Sequence, residues 1–100
     1  MYKWKIEELK LQIGKLFLLY RLRSMLSQLQ LANELNLSSN HIGRIERAET
    51  NPTLEIIVDY CNFFEVDILT IFTKLSADEM DAILNEINDL KIHNKNKPKK

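Results

Sequence analysis

The sequence contains little of what a cross-linked, fibrous or metal-stabilised protein requires. One cysteine, two glycines and two prolines occur in 100 residues, while 45% of the side chains are apolar and 28% are charged. Cys61 has no intrachain disulfide partner, and His41 and His93 lie far apart without a nearby thiol, so we expect no structural zinc and no cofactor. The many apolar side chains exclude disorder and predict one compact, mostly helical domain.

Long hydrophobic runs are also missing. The longest apolar run covers residues 16–20, far fewer than the ~20 residues that span a bilayer. Glu7 and Glu8 stand where a signal peptide has its apolar stretch. We therefore expect no membrane partner, and the single unpaired thiol of Cys61 predicts a cytoplasmic protein.

A net charge of zero hides three blocks of opposite sign. Residues 1–47 carry eight Lys/Arg against four Asp/Glu, residues 48–92 carry two against ten, and residues 93–100 carry four lysines and no acid. The first block suits a polyanionic partner, whereas the second would repel one. A random distribution of surface charge is the alternative.

Apolar spacing and capping residues predict six helices and no strand. The predicted helices cover residues 5–25, 28–35, 39–47, 54–64, 68–72 and 76–92. Five residues are predicted to cap the helices that follow them: Ser27, Ser38, Thr53, Asp67 and Ser76. Asn36 should end the second helix in the left-handed conformation. Residues 93–100 are predicted to form a disordered basic tail.

The segment 28–52 places short polar side chains on a helix that follows a tight turn. Ala32 is small enough to allow close contact between the second and third helices. Ile42 and Ile45 point toward the core. The remaining positions of the third helix are polar, small or basic: Ser39, Asn40, His41, Gly43 and Arg44. Such a helix suits insertion into the DNA major groove, where Asn and Arg can read base edges.

Residues 13–72 resemble the lambda-repressor-like, Xre-type helix-turn-helix family. Arg21, the Leu-Ser-Gln of 26–28, the Leu-Ala of 31–32, the Ile-x-x-Ile-Glu of 42–46 and the Asn-Pro of 51–52 follow the family pattern. Asn36 and Ala48 stand where glycine is common, so the loop at Ala48 is either not left-handed or mildly strained. The resemblance implies an all-α, five-helix lambda-repressor-like domain in residues 1–75, with a lengthened first helix and an added C-terminal helix.

Ten residues are assigned roles, eight of them by the resemblance and two, Ser27 and His41, by their positions at helix N-termini. Four match positions that face bases: Ser39, Asn40, Gly43 and Arg44. Four are expected to contact phosphate: Ser27, Gln28, His41 and Asn51. Arg21 and Glu46 resemble an ion pair that ties helix 1 to the end of helix 3. Because Gly43 has no side chain, we expect it to make room for a base or its methyl group.

The implied function is sequence-specific binding of double-stranded DNA by a repressor that occupies a palindromic operator as a homodimer. One alternative is an antitoxin, in which the acidic residues 48–92 bind a toxin and DNA binding represses the operon of the pair. Another is a protein-interaction module that does not bind DNA. An enzyme is the least expected class, because the sequence has no histidine beside a candidate nucleophile and no glycine-rich phosphate loop.

Two apolar stripes lie outside the core of the family domain. Leu11, Leu18 and Leu22 are surplus on the first helix, and apolar residues repeat along positions 80–90 of the last helix. We expect the two stripes to bury each other, either within one chain or across the two-fold axis of a dimer, so that residues 76–92 are a possible dimerisation element.

Overall fold

A computed structural model describes residues 3–95, and it contains six helices. They are α1 (Ile6–Arg23), α2 (Gln28–Leu35), α3 (Ser39–Glu46), α4 (Leu54–Phe64), α5 (Ile68–Phe72) and α6 (Ala77–Lys95). This part of the chain has no strand, and the all-α fold class is confirmed. Within it, no helix combines the length and hydropathy that crossing a bilayer demands.

Capping bonds explain why the predicted helix starts agree with the structure. Ser27 Oγ accepts a bond from the Gln30 N–H at 3.0 Å, and Gln30 Oε1 accepts one from the Ser27 N–H at 2.8 Å. Ser76 and Glu79 form the same reciprocal pair before α6, at 3.1 and 2.9 Å. Each bond satisfies an N–H group that the first helical turn leaves without a partner.

The ends of α1 and α6 differ from the predicted bounds by two and three residues, and α3 ends at Glu46, one residue before its predicted end. α1 stops at Arg23 rather than at residue 25, because Met25 adopts a φ of 59° and the Leu26 N–H donates to the Arg21 carbonyl at 3.2 Å. This left-handed closure satisfies carbonyls at the helix end. α6 continues to Lys95, so residues 93–95 are helical and the prediction of a disordered tail is wrong for them. Asn94 Nδ2 donates to the Leu22 carbonyl at 3.4 Å and holds this last turn against α1. Residues 96–100 of the predicted tail lie outside the described residues.

The main core is formed by the first five helices, α1 through α5. Phe17 and Tyr60 are fully buried and stack with ring centroids 3.9 Å apart and planes 8° apart. The buried members of the cluster come from all five helices: Ile13, Leu16, Phe17, Leu31, Ala32, Ile42, Ile45, Ile57, Tyr60, Cys61 and Ile71. Truncating an aromatic side chain in such a core costs about 3–5 kcal/mol, so this cluster holds α2 and α3 against α1.

Gly14 allows α1 to touch the backbone at the end of α3. A β-carbon at this position would lie 2.6 Å from the Ile45 carbonyl oxygen and 3.0 Å from that of Glu46. These are backbone atoms, which cannot swing aside as a flexible side chain can. The glycine therefore sets how closely the C-terminal end of α3 approaches α1.

A buried glutamine joins α1 to α5 and to the loop that follows it. Gln12 Nε2 donates to the Ile71 carbonyl at 2.9 Å and to the Thr73 carbonyl at 2.8 Å, while Gln12 Oε1 accepts a bond from the Leu75 N–H at 3.0 Å. The side chain is 2% exposed and has both amide atoms satisfied. It fixes the connection from which α6 starts.

α6 packs against α1 within the chain. Leu18, Leu19 and Leu22 of α1 form a second buried cluster with Ile87 of α6. Two half-buried side chains of α6, Ile83 and Leu90, flank this cluster. The guanidinium of Arg23 donates two bonds to the Glu86 carboxylate, at 2.6 and 2.7 Å, and holds the pKa of that carboxyl below its ordinary value. Of the two sequence-based alternatives, the structure has the intramolecular one for Leu18 and Leu22, whereas Leu11 is 45% exposed and lies outside this cluster.

The start of α1 is closed by a lysine from the loop between α5 and α6. Lys74 Nζ lies 5.4 Å from the centre of the Trp4 ring and 3.3 Å from Glu8 Oε2. It also donates to the carbonyl of Lys3 at 3.4 Å. Cation–ring and ion-pair contacts thus hold the half-buried Trp4 against this loop.

Candidate nucleic-acid interface

A left-handed residue sets the angle between α2 and α3. Asn36 has φ 56° and ψ 43°, as predicted, and the following Leu37 N–H donates to the Ala32 carbonyl at 2.9 Å. Ala32 is fully buried, which leaves room for the second helix of the pair. Ser38 Oγ then accepts a bond from the His41 N–H at 3.0 Å and starts α3. This short segment therefore ends α2 and starts α3.

α3 has a buried face and an exposed face. Ile42 and Ile45 are 0% and 1% exposed and belong to the main core. Asn40 and Arg44 are exposed on the other side, while Ser39 is half-buried. The donors and acceptors of Asn40 and Arg44 can therefore reach a partner without any rearrangement of the core.

A buried ion pair fixes the end of α3 to α1. Arg21 Nε and Nη2 donate to the two carboxylate oxygens of Glu46, at 2.6 and 3.1 Å, with side-chain exposures of 11% and 4%. Arg21 Nη1 also donates to the Leu26 carbonyl at 2.8 Å. Gln28 Nε2 donates to Glu46 Oε1 at 3.0 Å and adds α2 to the network. Both carboxylate oxygens are satisfied, which offsets part of the cost of removing the charges from water.

Tyr60 lies beneath this ion pair. Its hydroxyl is buried and has no hydrogen-bond partner among the described residues. Burial raises the pKa of the Tyr60 hydroxyl; the Glu46 carboxylate raises it further, and Arg21 opposes the shift. The charges of the ion pair therefore act electrostatically on Tyr60, at the aromatic centre of the core.

Gly43 is not open to solvent, in contrast to its predicted place among base-facing residues. It is buried, and a β-carbon there would lie 2.9 Å from Arg47 Nη1 and 3.3 Å from Gln28 Nε2. The ends of these two long side chains therefore lie beside the Gly43 backbone. The sequence pattern did not predict that the ends of Gln28 and Arg47 lie beside Gly43.

Arg47 is a candidate that the sequence reasoning missed. It follows α3 directly, and its guanidinium donates to Glu49 at 2.7 and 3.4 Å. The spacing of Asn40, Arg44 and Arg47 by four and three residues places them on one stripe of a helix, a signal that was present in the sequence. The Glu49 pairing depends on Ala48, whose φ of 59° turns the chain back. Of the two expectations for the loop at Ala48, the structure therefore has the mildly strained one, since Ala48 is left-handed.

The remaining predicted phosphate contacts lie around the two helix N-termini and the following loop. Ser27 is exposed and its hydroxyl caps α2, His41 is half-buried in the first turn of α3, and Asn51 is exposed between α3 and α4. N–H groups in a first helical turn lack intrahelical acceptors and attract anions. Gln28 sits in that position on α2.

Metal binding and thiol chemistry are not indicated at this surface. Among residues 3–95 no three His, Cys, Asp or Glu side chains come together as a metal ion requires. Cys61 is buried in the core, and burial raises the pKa of its thiol, with Asp67 adding to the effect. A raised pKa keeps the sulfur protonated and inert.

Comparison with known proteins agrees with this geometry. Residues 18–71, more than half of the chain, match the model of the helix-turn-helix family, and the match runs from the middle of α1 to α5. No curated protein and no solved structure matches the chain. The matched part contains the α2–Asn36–α3 unit and the Arg21–Glu46 pair. The chain therefore belongs to the Xre, lambda-repressor-like helix-turn-helix family and is a DNA-binding transcription regulator.

Proposed function

We propose that this regulator is a cytoplasmic repressor that recognises a palindromic operator through the exposed face of α3. The observation that carries the proposal is the pair Asn40 and Arg44, exposed on a helix whose opposite face is fixed by Ile42 and Ile45. Arginine can donate two bonds to a guanine edge, and asparagine can exchange two with adenine. A rigid helix that presents both groups can distinguish base pairs.

Phosphate contacts would position this helix. The N–H groups in the first turn of α2 face away from any intrahelical acceptor, and Gln28 lies at their start. Because Gln28 also bonds to Glu46, a phosphate held at α2 is coupled directly to the end of α3. Such contacts set register without reading sequence.

A homodimer has to use a surface other than the main apolar stripe of α6, which α1 already covers. α4 offers Leu54 and Val58, which are 73% and 42% exposed and one turn apart. Dimers of this class place recognition helices about 34 Å apart, so that both enter the major groove on one side of the duplex. We propose that α4 contributes to this association.

Selection of bound fragments from random duplex DNA tests the proposal and returns the operator at once. On the selected site, Arg44→Ala should weaken binding by about 1–3 kcal/mol and relax the preference at one base position. Gln28→Ala should weaken binding evenly across sequences. Lys91→Ala, which removes the same charge from the exposed side of α6, is the matched control and should leave affinity unchanged.

Two results would contradict the proposal. Equal affinity of wild type, Arg44→Ala and Gln28→Ala for the selected site would remove α3 as the recognition helix. Light scattering that finds a monomer at micromolar concentration, together with a selected site that lacks two-fold symmetry, would remove the homodimer and the palindrome.

A second candidate function is that of an antitoxin, and the α4–α5 surface favours it. Residues 48–73 carry five acidic side chains and no Lys or Arg. In the same stretch Leu54, Val58 and Leu69 are exposed. Acidic side chains beside exposed apolar ones also suit a basic partner protein, which would compete with a second copy of this chain for α4. Co-expression with the product of the adjacent reading frame would show a stable mixed complex and relief of growth arrest; the repressor alone predicts neither.

A further inference from the structure

The loop after α3 contains an ion pair, Arg47–Glu49, that has no part in the proposed function. Arg47 and Glu49 are 57% and 51% exposed, and their carboxylate–guanidinium bonds measure 2.7 and 3.4 Å. The geometry of the loop produces the pairing: the Ala48 N–H donates to the Ile45 carbonyl at 3.0 Å, and the Glu49 N–H donates to the Arg44 carbonyl at 2.9 Å. Glu49 is thereby turned back beside the last turn of α3.

The guanidinium of Arg47 lies on the same side of α3 as the proposed base-reading residues. Its Nη1 is 2.9 Å from where a β-carbon of Gly43 would be, and Gln28 Nε2 is close to the same point. Asn40 and Arg44 occupy neighbouring positions of this stripe. Arg47 is therefore directed at the surface that a duplex would occupy.

We propose that Arg47 binds a DNA phosphate and that Glu49 is an internal competitor for it. This inference rests on the proposed function of α3. A carboxylate offers a guanidinium two oxygen acceptors in the same arrangement as a phosphate. While Glu49 holds Arg47, the cation is not available to arbitrary duplex DNA, and the Glu49 charge repels the backbone. On the operator, where Arg44 and Asn40 dock the helix, a phosphate takes the place of Glu49. Glu49 is thus a specificity-determining residue that suppresses sequence-independent binding.

Salt titrations of duplex binding test the competition. In Glu49→Gln, the affinity for a duplex of unrelated sequence should rise about three- to tenfold at low salt, and the slope of log affinity against log salt should steepen by about one. Affinity for the selected operator should rise less, so the ratio between the two should fall. Asp89→Asn removes an equal charge from the exposed side of α6 and should change neither quantity.

A double-mutant cycle separates competition from simple repulsion. If Glu49 acts by holding Arg47, the gain from Glu49→Gln disappears in an Arg47→Gln background. An equal gain in both backgrounds would overturn the inference, as would an unchanged slope in the single variant. Circular dichroism melts verify that each variant is folded. If the wild type binds no duplex at any salt concentration, the proposed function itself fails; operator binding with an inert Glu49 overturns only this inference.

Discussion

Two ion pairs at the end of α3 involve adjacent residues and have opposite surroundings. Glu46 binds Arg21 where both side chains are almost excluded from solvent, whereas Arg47 binds Glu49 in water. A buried charge that loses its partner has nothing to replace it, but an exposed one exchanges its partner for water or another ion. The inner pair, Arg21–Glu46, therefore fixes the position of α3. In the outer pair, Arg47 can exchange Glu49 for another anion during binding. Chemical identity alone does not reveal which role a pair has.

The two glycines of the chain repeat this contrast. Gly14 lies on the inner side, against backbone carbonyls of Ile45 and Glu46, while the space beside Gly43 is filled by the tips of Gln28 and Arg47. Backbone atoms yield only if the helices separate, but a side-chain tip can move to another rotamer. The inner side of α3 is defined by contacts that cannot shift without a loss of packing.

The largest expected effect comes from breaking the inner pair. Arg21→Met should lower the free energy of unfolding by about 3–5 kcal/mol, because Glu46 is left buried with a charge that only Gln28 still contacts. Urea denaturation measures the change. Arg47→Met removes the same charge from the outer pair and should leave the midpoint close to that of the wild type.

Partial recovery in the double variant Arg21→Met, Glu46→Gln would show that the two side chains are coupled. If the two single effects add instead, the residues do not share one interaction, and the contrast between the inner and outer pairs has no energetic basis.

Replacing each glycine by alanine should change the stability of the fold by different amounts and with different sign. Gly14→Ala should destabilise the fold by about 1–3 kcal/mol, since the new methyl group overlaps the Ile45 carbonyl. Gly43→Ala should be neutral or stabilise by up to about 1 kcal/mol through helix propensity. Thermal melts of both variants decide the matter; equal destabilisation would mean that the outer side of α3 is as tightly packed as the inner side.

A smaller effect is expected at Ala48, whose left-handed conformation places Glu49 beside Arg47. Left-handed geometry costs an L-residue about 1–2 kcal/mol, and the entropy of glycine offsets part of that. Ala48→Gly should therefore stabilise the protein by roughly 1 kcal/mol. Ala82→Gly, at an exposed interior position of α6, should destabilise by about the same amount. If both variants lose stability, Ala48 is not strained.

The smallest effect concerns the protonation of Glu49. The hydrogen bond from Arg47 holds the pKa of the Glu49 carboxyl below its ordinary value, with Arg44 contributing less. Because the folded pKa is lowered, the pair contributes above the ordinary carboxyl pKa and is lost as pH falls through the folded pKa. NMR titration of the carboxyl carbon should show this pKa rising in Arg47→Gln and rising less in Arg44→Gln. An unchanged pKa in Arg47→Gln would mean that the outer pair does not form in solution.

Features that depend on neighbouring residues were predictable from the sequence. The bounds of α2 and α5 agree with the prediction because Ser27, Asn36 and Asp67 act on backbone groups within a few residues. The Arg21–Glu46 pair was implied by a family pattern rather than by spacing. The end of α1 was not foreseen, because Met25 carries no side-chain preference for the left-handed conformation that it adopts.

Features that depend on distant residues were not predictable. The partners of Gln12 lie about sixty positions away, so nothing local marks it as more than a surface amide. The family pattern names Gly43 among the base-facing residues, but it could not show that the side-chain ends of Gln28 and Arg47 lie beside it. The choice between intramolecular and dimeric burial of α6 likewise required the packing of Leu22 against Ile87.

The single tryptophan of the chain gives the molecule a built-in optical reporter. Trp4 is held by Lys74 at the start of α1, and the part of α1 from Ile6 to Gly14, where the helix meets α3, spans about 12 Å. Its fluorescence should change when the loop before α6 opens and stay constant when a duplex docks on α3. Emission recorded during a DNA titration therefore separates release of the C-terminal helix from occupation of the recognition surface, without any attached dye.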